Sequence, residues 1–168
     1  FVRDEIAAPL GIADLWIGIP DAVVPRVAKQ VDAMVPVPPE YLPPLFLASM
    51  PAAVALHPSV FERPDVRRAE VAGGGGIFTA RGEARFWAML ANGGELDGVR
   101  LLSRERVASF STPRAICHPG QGGSIGWADP DLNLAVAICH NRLFNPTSLE
   151  EDAILVVANA VREALGIA

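Results

Sequence analysis

Lysine and tyrosine are almost missing from this sequence of 168 residues, which has one of each, Lys29 and Tyr41. Arg26 stands three positions before Lys29, so the chain contains no S-x-x-K motif, in which a serine and a lysine act together in acyl transfer. Leu42 and Pro43 follow Tyr41, so a Y-x-N motif is absent as well. The chain therefore lacks the serine nucleophile that an S-x-x-K motif would provide.

Cysteines, long apolar runs and clusters of basic residues are also scarce. Two cysteines are too few for a disulfide scaffold, and no apolar run reaches the roughly 18 residues that a membrane-spanning helix needs. The net charge is −5 and the thirteen arginines are scattered, so neither nucleic acid nor an anionic membrane surface is an expected partner. No signal peptide is visible, which leaves the cytoplasm as the default location, and Phe1 suggests that the chain begins inside a longer protein.

The sequence is otherwise apolar, with 51% hydrophobic residues, which favours a folded domain over a disordered chain. Its length suits a single domain, which we place over residues 1–168. Eight prolines lie within residues 36–64 and limit regular structure there to short pieces. Because leucine, phenylalanine and valine accompany these prolines, we expect an ordered loop or cap over an apolar surface.

The first thirty residues carry weaker signals. Residues 1–9 fit the end of an amphipathic helix that is stopped by Pro9, and residues 12–19 fit a short strand or a buried loop. Residues 21–31 are consistent with a helix opened by Pro25.

Capping residues predict two helices in the middle of the chain. Thr79 is a candidate N-cap for a helix of about a dozen residues with apolar side chains at helical spacing. Gly93 and Gly94 would close it in the left-handed conformation that glycine adopts without strain. Ser103 is the candidate N-cap of a shorter helix that reaches about Phe110.

The last third of the chain predicts a hairpin and a long helix. Two apolar stretches, residues 124–128 and 134–139, flank a segment with turn chemistry, which is typical of an antiparallel hairpin. Ser148 and Glu151 form a capping box for a C-terminal helix over residues 148–166. Helices, a hairpin and a further helix, without alternation of strand and helix, indicate an α+β fold.

Three stretches of the chain carry a resemblance to a known family. They are the glycine-rich residues 72–86, the segment 92–103 (Asn-Gly-Gly-Glu-Leu-Asp-Gly-Val-Arg-Leu-Leu-Ser), and residues 118–142, which open with His-Pro-Gly-Gln-Gly-Gly-Ser. In this order they resemble the C-terminal portion of serine hydrolases of the β-lactamase and penicillin-binding-protein superfamily, on the esterase side of that group. Residues 1–20 are also similar to the segment that follows the tyrosine motif in these esterases.

The resemblance implies roles for a few residues around the family's third conserved box, K-T-G or H-x-G. His118-Pro119-Gly120 occupies that position, at the start of the hairpin region that we place over residues 115–141. His118 would orient the substrate and the proton network of the serine, and the backbone N–H of Gln121 would complete an oxyanion hole, with Gly120 and Gly122 beside it. Pro119 departs from the small residue that is usual there and lacks a strand donor.

Ser124 is an alternative candidate for the nucleophile, because Gly122-Gly123-Ser124-Ile125-Gly126 satisfies the G-x-S-x-G pattern of a nucleophile elbow. Asp129 or Asp131 and then His140 follow in the order of an acid and a base. An elbow needs a helix directly after the serine, and a hairpin is expected here. We therefore predict that the glycines around Ser124 serve close packing at a strand start.

Two Cys-His pairs, Cys117-His118 and Cys139-His140, contain ligand types that suit zinc. Adjacent strand residues point to opposite faces, so at most one residue of each pair faces a shared site. Buried free cysteines are the favoured interpretation, with a Cys117–Cys139 disulfide left open.

Together these observations predict the C-terminal part of a β-lactamase-like serine esterase or amidase that is inactive alone. Its complete form would act on a small-molecule ester or amide and would need no metal or organic cofactor. The expected partner is an upstream N-terminal segment or a second copy of the chain. The alternative is a non-catalytic ligand-binding or interaction domain that keeps one wall of the pocket.

Overall fold

A computed structural model describes residues 1–41, 44–49, 57–110, 116–120, 122–144 and 152–167. Within these ranges the α-helices are α1 (Pro44–Ser49), α2 (Pro58–Phe61), α3 (Pro64–Arg68), α4 (Ala80–Ala91), α5 (Arg104–Ala108) and α6 (Ala153–Leu165). The strands of the same ranges are β1 (Leu15–Ile17), β2 (Val31–Ala33), β3 (Gly76–Phe78), β4 (Glu95–Leu96), β5 (Val99–Arg100), β6 (Ile116–Pro119), β7 (Ile125–Asp129), β8 (Leu134–Ile138) and β9 (Arg142–Phe144). The fold is therefore α+β, as the sequence predicts.

The central feature is an antiparallel sheet in the order β6-β7-β8. His118 on β6 lies opposite Gly126 on β7, and Gly126 lies opposite Ala137 on β8. The β7–β8 connection is a tight turn in which the Asp129 carboxylate accepts hydrogen bonds from the backbone N–H groups of Asp131 and Leu132. This arrangement confirms the predicted hairpin.

Helix α4 packs across β7 and β8 and provides much of the core. Thr79 caps its first turn, accepting a hydrogen bond from the N–H of Gly82 at 3.1 Å. Gly93 and Gly94 follow its end with φ of 67° and 93°, in the left-handed region that favours glycine. Ser103 caps α5 in the same way, through the N–H of Arg106. Both predicted N-caps are confirmed.

The face of the sheet beneath α4, which we call the inner face, is built from small residues. Gly126, Ala128, Ala135 and Ala137 occupy it, and Ala128 is completely buried. Small side chains let a helix approach a sheet closely, so larger residues of the helix can fill the space between them. Met89 and Leu90 of α4 are buried in this core, where each large apolar side chain contributes about 1.5–3 kcal/mol.

The N-terminal part follows the sequence signals at first. A helical turn spans Val2–Ala7, and β1 then pairs antiparallel with β3. The predicted helix over residues 21–31 is wrong: the structure has a single turn at Val24–Arg26 and extended backbone from Val27. Strand β2 follows and pairs in parallel with β9, more than a hundred residues away. This long-range pairing has no local sequence signal, so tertiary contacts determine it.

The proline-rich residues 36–64 form only short helical pieces where they are described. Tyr41 and Leu45 are 76% and 80% exposed, so these two side chains cover no apolar surface. Residues 42–43 and 50–56 lie outside the described ranges, and the role of the segment as a loop or cap stays a prediction.

The C-terminal helix begins later than expected. Asp152 caps α6, accepting hydrogen bonds from the N–H groups of Ile154 and Leu155, and Gly166 ends the helix with φ of 67°. The capping box at Ser148 and Glu151 lies outside the described residues. Among the helices that the structure describes, none has the length and apolar character for crossing a bilayer.

Candidate active site

His118 lies near the end of β6, beside the turn that leads to β7. Its side chain is exposed, and its partner across the ladder is Gly126. Opposed residues of an antiparallel pair point to the same face, and a Cβ on Gly126 would overlap the indole nitrogen of Trp87 on α4. His118 therefore belongs to the inner face of the sheet, the face on which α4 packs.

The turn after β6 is closed by backbone hydrogen bonds. The N–H of Gly120 donates to the carbonyl of Ser124 at 2.7 Å, and the N–H of Gly123 donates to the carbonyl of Gly120 at 3.0 Å. The amide of Gly120 is therefore already engaged in the turn. Gln121, the predicted oxyanion donor, lies outside the described residues, so its role stays a prediction.

Packing accounts for two other glycines of this turn. A Cβ on Gly122 would lie 2.6 Å from the side chain of Leu143, and one on Gly123 would lie 2.7 Å from Nε2 of His140. Gly123 also has φ of 92°, a backbone conformation that residues other than glycine rarely adopt. Close approach to β9 and to His140 therefore requires glycine at both positions, and no ligand needs to be invoked for either.

A carboxylate on α4 connects the helix to the sheet beneath it. Glu83 accepts a hydrogen bond from the indole Nε1–H of Trp87 at 3.2 Å and another from the thiol of Cys139 at 3.3 Å. Trp87 is buried against Gly126, the ladder partner of His118. Glu83 and Trp87 thus hold α4 against the strand that supports His118.

Partial burial raises the pKa of the Cys139 thiol to about 12, with the hydrogen bond to Glu83 and the negative charge of that carboxylate adding to the shift. The thiol therefore stays protonated and a poor nucleophile at neutral pH. Cys117 is exposed and lies opposite Trp127, on the other face of the sheet. Both cysteines are free thiols, as predicted, although only Cys139 is partly buried.

The structure does not support a zinc site or a nucleophile elbow. Cys117 and Cys139 lie on opposite faces of the sheet, and the described residues contain no cluster of metal-ligating side chains. Ser124 leads into β7 rather than into a helix, and its hydroxyl lies 3.4 Å from the backbone N–H of His140. Asp129 is at the far end of β7, so the three residues do not converge.

Sequence reasoning missed a row of polar side chains near α2. Nδ1 of His57 lies 2.7 Å from the hydroxyl of Ser59, and its Nε2 lies 3.0 Å from a carboxylate oxygen of Asp32. The backbone N–H of Ser59 also donates to Nδ1, so His57 acts as the N-cap of α2 and ties it to β2. The sequence did contain a signal for this cap, because His57 stands directly before Pro58, the first residue of α2.

Comparisons with known proteins identify the family of this chain. The family model Beta-lactamase matches residues 1–160. The chain is 31% identical over 205 residues to the Esterase/beta-lactamase LipL of Mycobacterium tuberculosis (strain ATCC 25618 / H37Rv), and the match covers 96% of this chain and 47% of that protein. The chain thus spans about half the length of the curated relative that it matches.

Solved structures show the same fold, and this chain again matches about half the length of each. A family VIII carboxylesterase superposes with a TM-score of 0.77 at 24% identity, covering 95% of this chain and 50% of the other. A penicillin-binding protein homolog from Caulobacter crescentus superposes with a TM-score of 0.69 at 25% identity, covering 95% of this chain and 51% of that one. The chain belongs to the β-lactamase family.

Proposed function

We propose that this chain is the C-terminal half of a serine esterase or amidase of the β-lactamase type and that it is catalytically inert alone. One combination of facts carries the proposal. The chain spans 47% of its esterase/beta-lactamase relative, and its single lysine and single tyrosine stand outside any S-x-x-K or Y-x-N motif. A preceding segment, called here the upstream segment, would supply the serine, the lysine and the tyrosine.

In the complete enzyme the upstream serine attacks the carbonyl carbon of a small ester or amide. The upstream lysine and tyrosine accept the serine proton and pass it to the leaving group, and water then hydrolyses the acyl-enzyme. His118, on the inner face of the sheet, would hold the substrate and this proton network in place. The N–H of Gln121 would donate to the oxyanion. No step needs a metal or an organic cofactor.

The experiment is hydrolysis of p-nitrophenyl acetate by the chain, by the upstream segment and by the two mixed. We expect turnover only in the mixture, because each part alone lacks half of the reacting groups. In the mixture, His118→Ala should lower kcat/KM by about 10²-fold or more. His57→Ala is the matched control, because His57 caps α2 and plays no part in the proposed site.

Two outcomes would overturn the proposal. Turnover by the 168-residue chain alone would show that it contains its own nucleophile. Saturable binding of the ester without turnover in the mixture would favour a non-catalytic ligand-binding domain instead.

A further inference from the structure

Exposed apolar side chains are concentrated in the stretch that runs from β2 to the start of α1. We call residues 31–41 and 44–45 the apolar segment. Five large apolar side chains of this segment are between 44% and 80% exposed: Val31, Val35, Val37, Tyr41 and Leu45. Single exposed apolar residues are ordinary on protein surfaces, whereas several of them in one short stretch are typical of an interaction site.

The apolar segment offers few polar groups to a partner. Its charged residues are Asp32 and Glu40, and the Asp32 carboxylate already lies 3.0 Å from Nε2 of His57. In the sequence, residues 33–56 contain Glu40 as their single charged residue. Protein interfaces usually carry about one hydrogen bond per 100–200 Å² of buried surface. The composition of the segment therefore suits contact with hydrocarbon better than contact with another protein.

The prolines and the tyrosine of the segment point to the same kind of partner. Pro36, Pro38 and Pro39 have no backbone N–H, so a peptide cannot pair with this part of the chain as a further strand. Tyr41 and Leu45 are the most exposed of the five side chains. A tyrosine has an apolar ring and a polar hydroxyl, the combination that is enriched where proteins meet lipid head groups.

We infer that the apolar segment is an interfacial anchor, which inserts Tyr41 and Leu45 into the surface of a lipid aggregate without net charge. The net charge of −5 disfavours an anionic surface, so the head groups should be neutral or zwitterionic. None of the helices in the described part of the chain can cross a bilayer, so the contact is shallow and reversible. It would bring the proposed enzyme to esters that are held in lipid, but lipid binding itself does not depend on the proposed function.

The first test is sedimentation of the 168-residue chain with phosphatidylcholine vesicles. Leu45→Asp and Tyr41→Asp should each lower the partition coefficient by about tenfold or more, because a charge replaces an apolar side chain at the interface. Both side chains are exposed in the chain alone, so the variants should keep the circular dichroism spectrum of the original chain. Leu132→Asp is the matched control, because Leu132 is 47% exposed in the β7–β8 turn, and it should leave binding unchanged.

Tyr41 also provides a direct footprint, because it is the only tyrosine of the chain. We expect enzymatic iodination to modify it rapidly in the chain alone, where its side chain is 76% exposed. When nine-tenths of the chain is bound to phosphatidylcholine vesicles, the rate of iodination should fall about tenfold. A vesicle-bound chain in which Tyr41 stays fully reactive would overturn the inference.

Four further outcomes would overturn the inference. The first is no binding to the vesicles, and the second is equal weakening by Leu132→Asp and Leu45→Asp, which would indicate unspecific adsorption. The third is weakening by Val156→Asp but not by Leu45→Asp, which would assign lipid binding to α6, where Val156 is exposed. The fourth is loss of vesicle binding when the upstream segment is added, which would make the apolar segment an internal contact of the enzyme. None of these results bears on acyl transfer, which hydrolysis of p-nitrophenyl acetate tests separately.

Discussion

At the scale of single residues, the contact between Gly126 and Trp87 determines how closely α4 approaches the sheet. The indole nitrogen of Trp87 occupies the space that a side chain at position 126 would fill. The same nitrogen donates its hydrogen to Glu83, so Trp87 cannot rotate away without breaking that hydrogen bond. Position 126 therefore has to be glycine for α4 to lie where it does.

Gly126→Ala should destabilise the chain by about 1–3 kcal/mol, because the added methyl group overpacks a filled space. Urea denaturation followed by circular dichroism gives the free energy of unfolding. Gly73→Ala is the control, because nothing lies near a Cβ built at Gly73, and its effect should stay within about 0.5 kcal/mol. Equal stability of the two variants would contradict the close contact.

The pairing of Glu83 with Cys139 makes a second prediction at this scale. Glu83→Gln removes the negative charge that opposes ionisation of the thiol, so the pKa of Cys139 should fall from about 12 while burial keeps it above its ordinary value. The pH dependence of Cys139 alkylation in a Cys117→Ser background measures this. Identical profiles with and without Glu83 would contradict the contact.

The raised pKa of Cys139 also links folding to pH. The folded chain holds this proton more tightly than the unfolded chain does, so the contribution to stability is complete below the ordinary thiol pKa of 9.0. It should be lost progressively as the pH rises from there towards 12.

At the scale of elements, the cap of α6 is a local feature with a measurable effect. Asp152→Ala removes the acceptor for the N–H groups of Ile154 and Leu155 and should cost about 1 kcal/mol of helix stability. Hydrogen exchange of the α6 amides should speed up about fivefold. Asp152→Asn keeps an acceptor in the same place and should exchange like the unaltered chain. Equal exchange in all three proteins would show that Asp152 is not the cap.

Elements that depend on neighbouring residues were predictable from the sequence. The N-caps Thr79 and Ser103 and the β7–β8 hairpin follow from side chains within a few positions, and the structure has all of them. The parallel pairing of β2 with β9 was not predictable, because its two strands are distant in sequence and each is only three residues long. The helix expected over residues 21–31 did not form for the same reason, because Val31, its last residue, is the first residue of β2.

The site was predictable only as far as the family resemblance extended. His118 could be placed on a strand beside a glycine-rich turn, but its ladder partner Gly126 and the support from Trp87 depend on packing between α4 and the sheet. The His57–Asp32 contact joins residues 25 positions apart and likewise has no local pattern.

At the scale of the whole molecule, the asymmetry of the sheet is the main feature. The inner face lies beneath α4, whereas large apolar side chains of the opposite face and of α6 are partly exposed. The chain alone should therefore bind a hydrophobic dye.

The most direct test of the central claim is fluorophosphonate labelling of the 168-residue chain, with the labelled peptide identified by mass spectrometry. The account predicts no label on any serine of this chain, Ser59 and Ser124 included. It predicts one label, on the upstream serine, when the upstream segment is added. A label on Ser59 or Ser124 in the chain alone would contradict the account and show that this chain carries its own nucleophile.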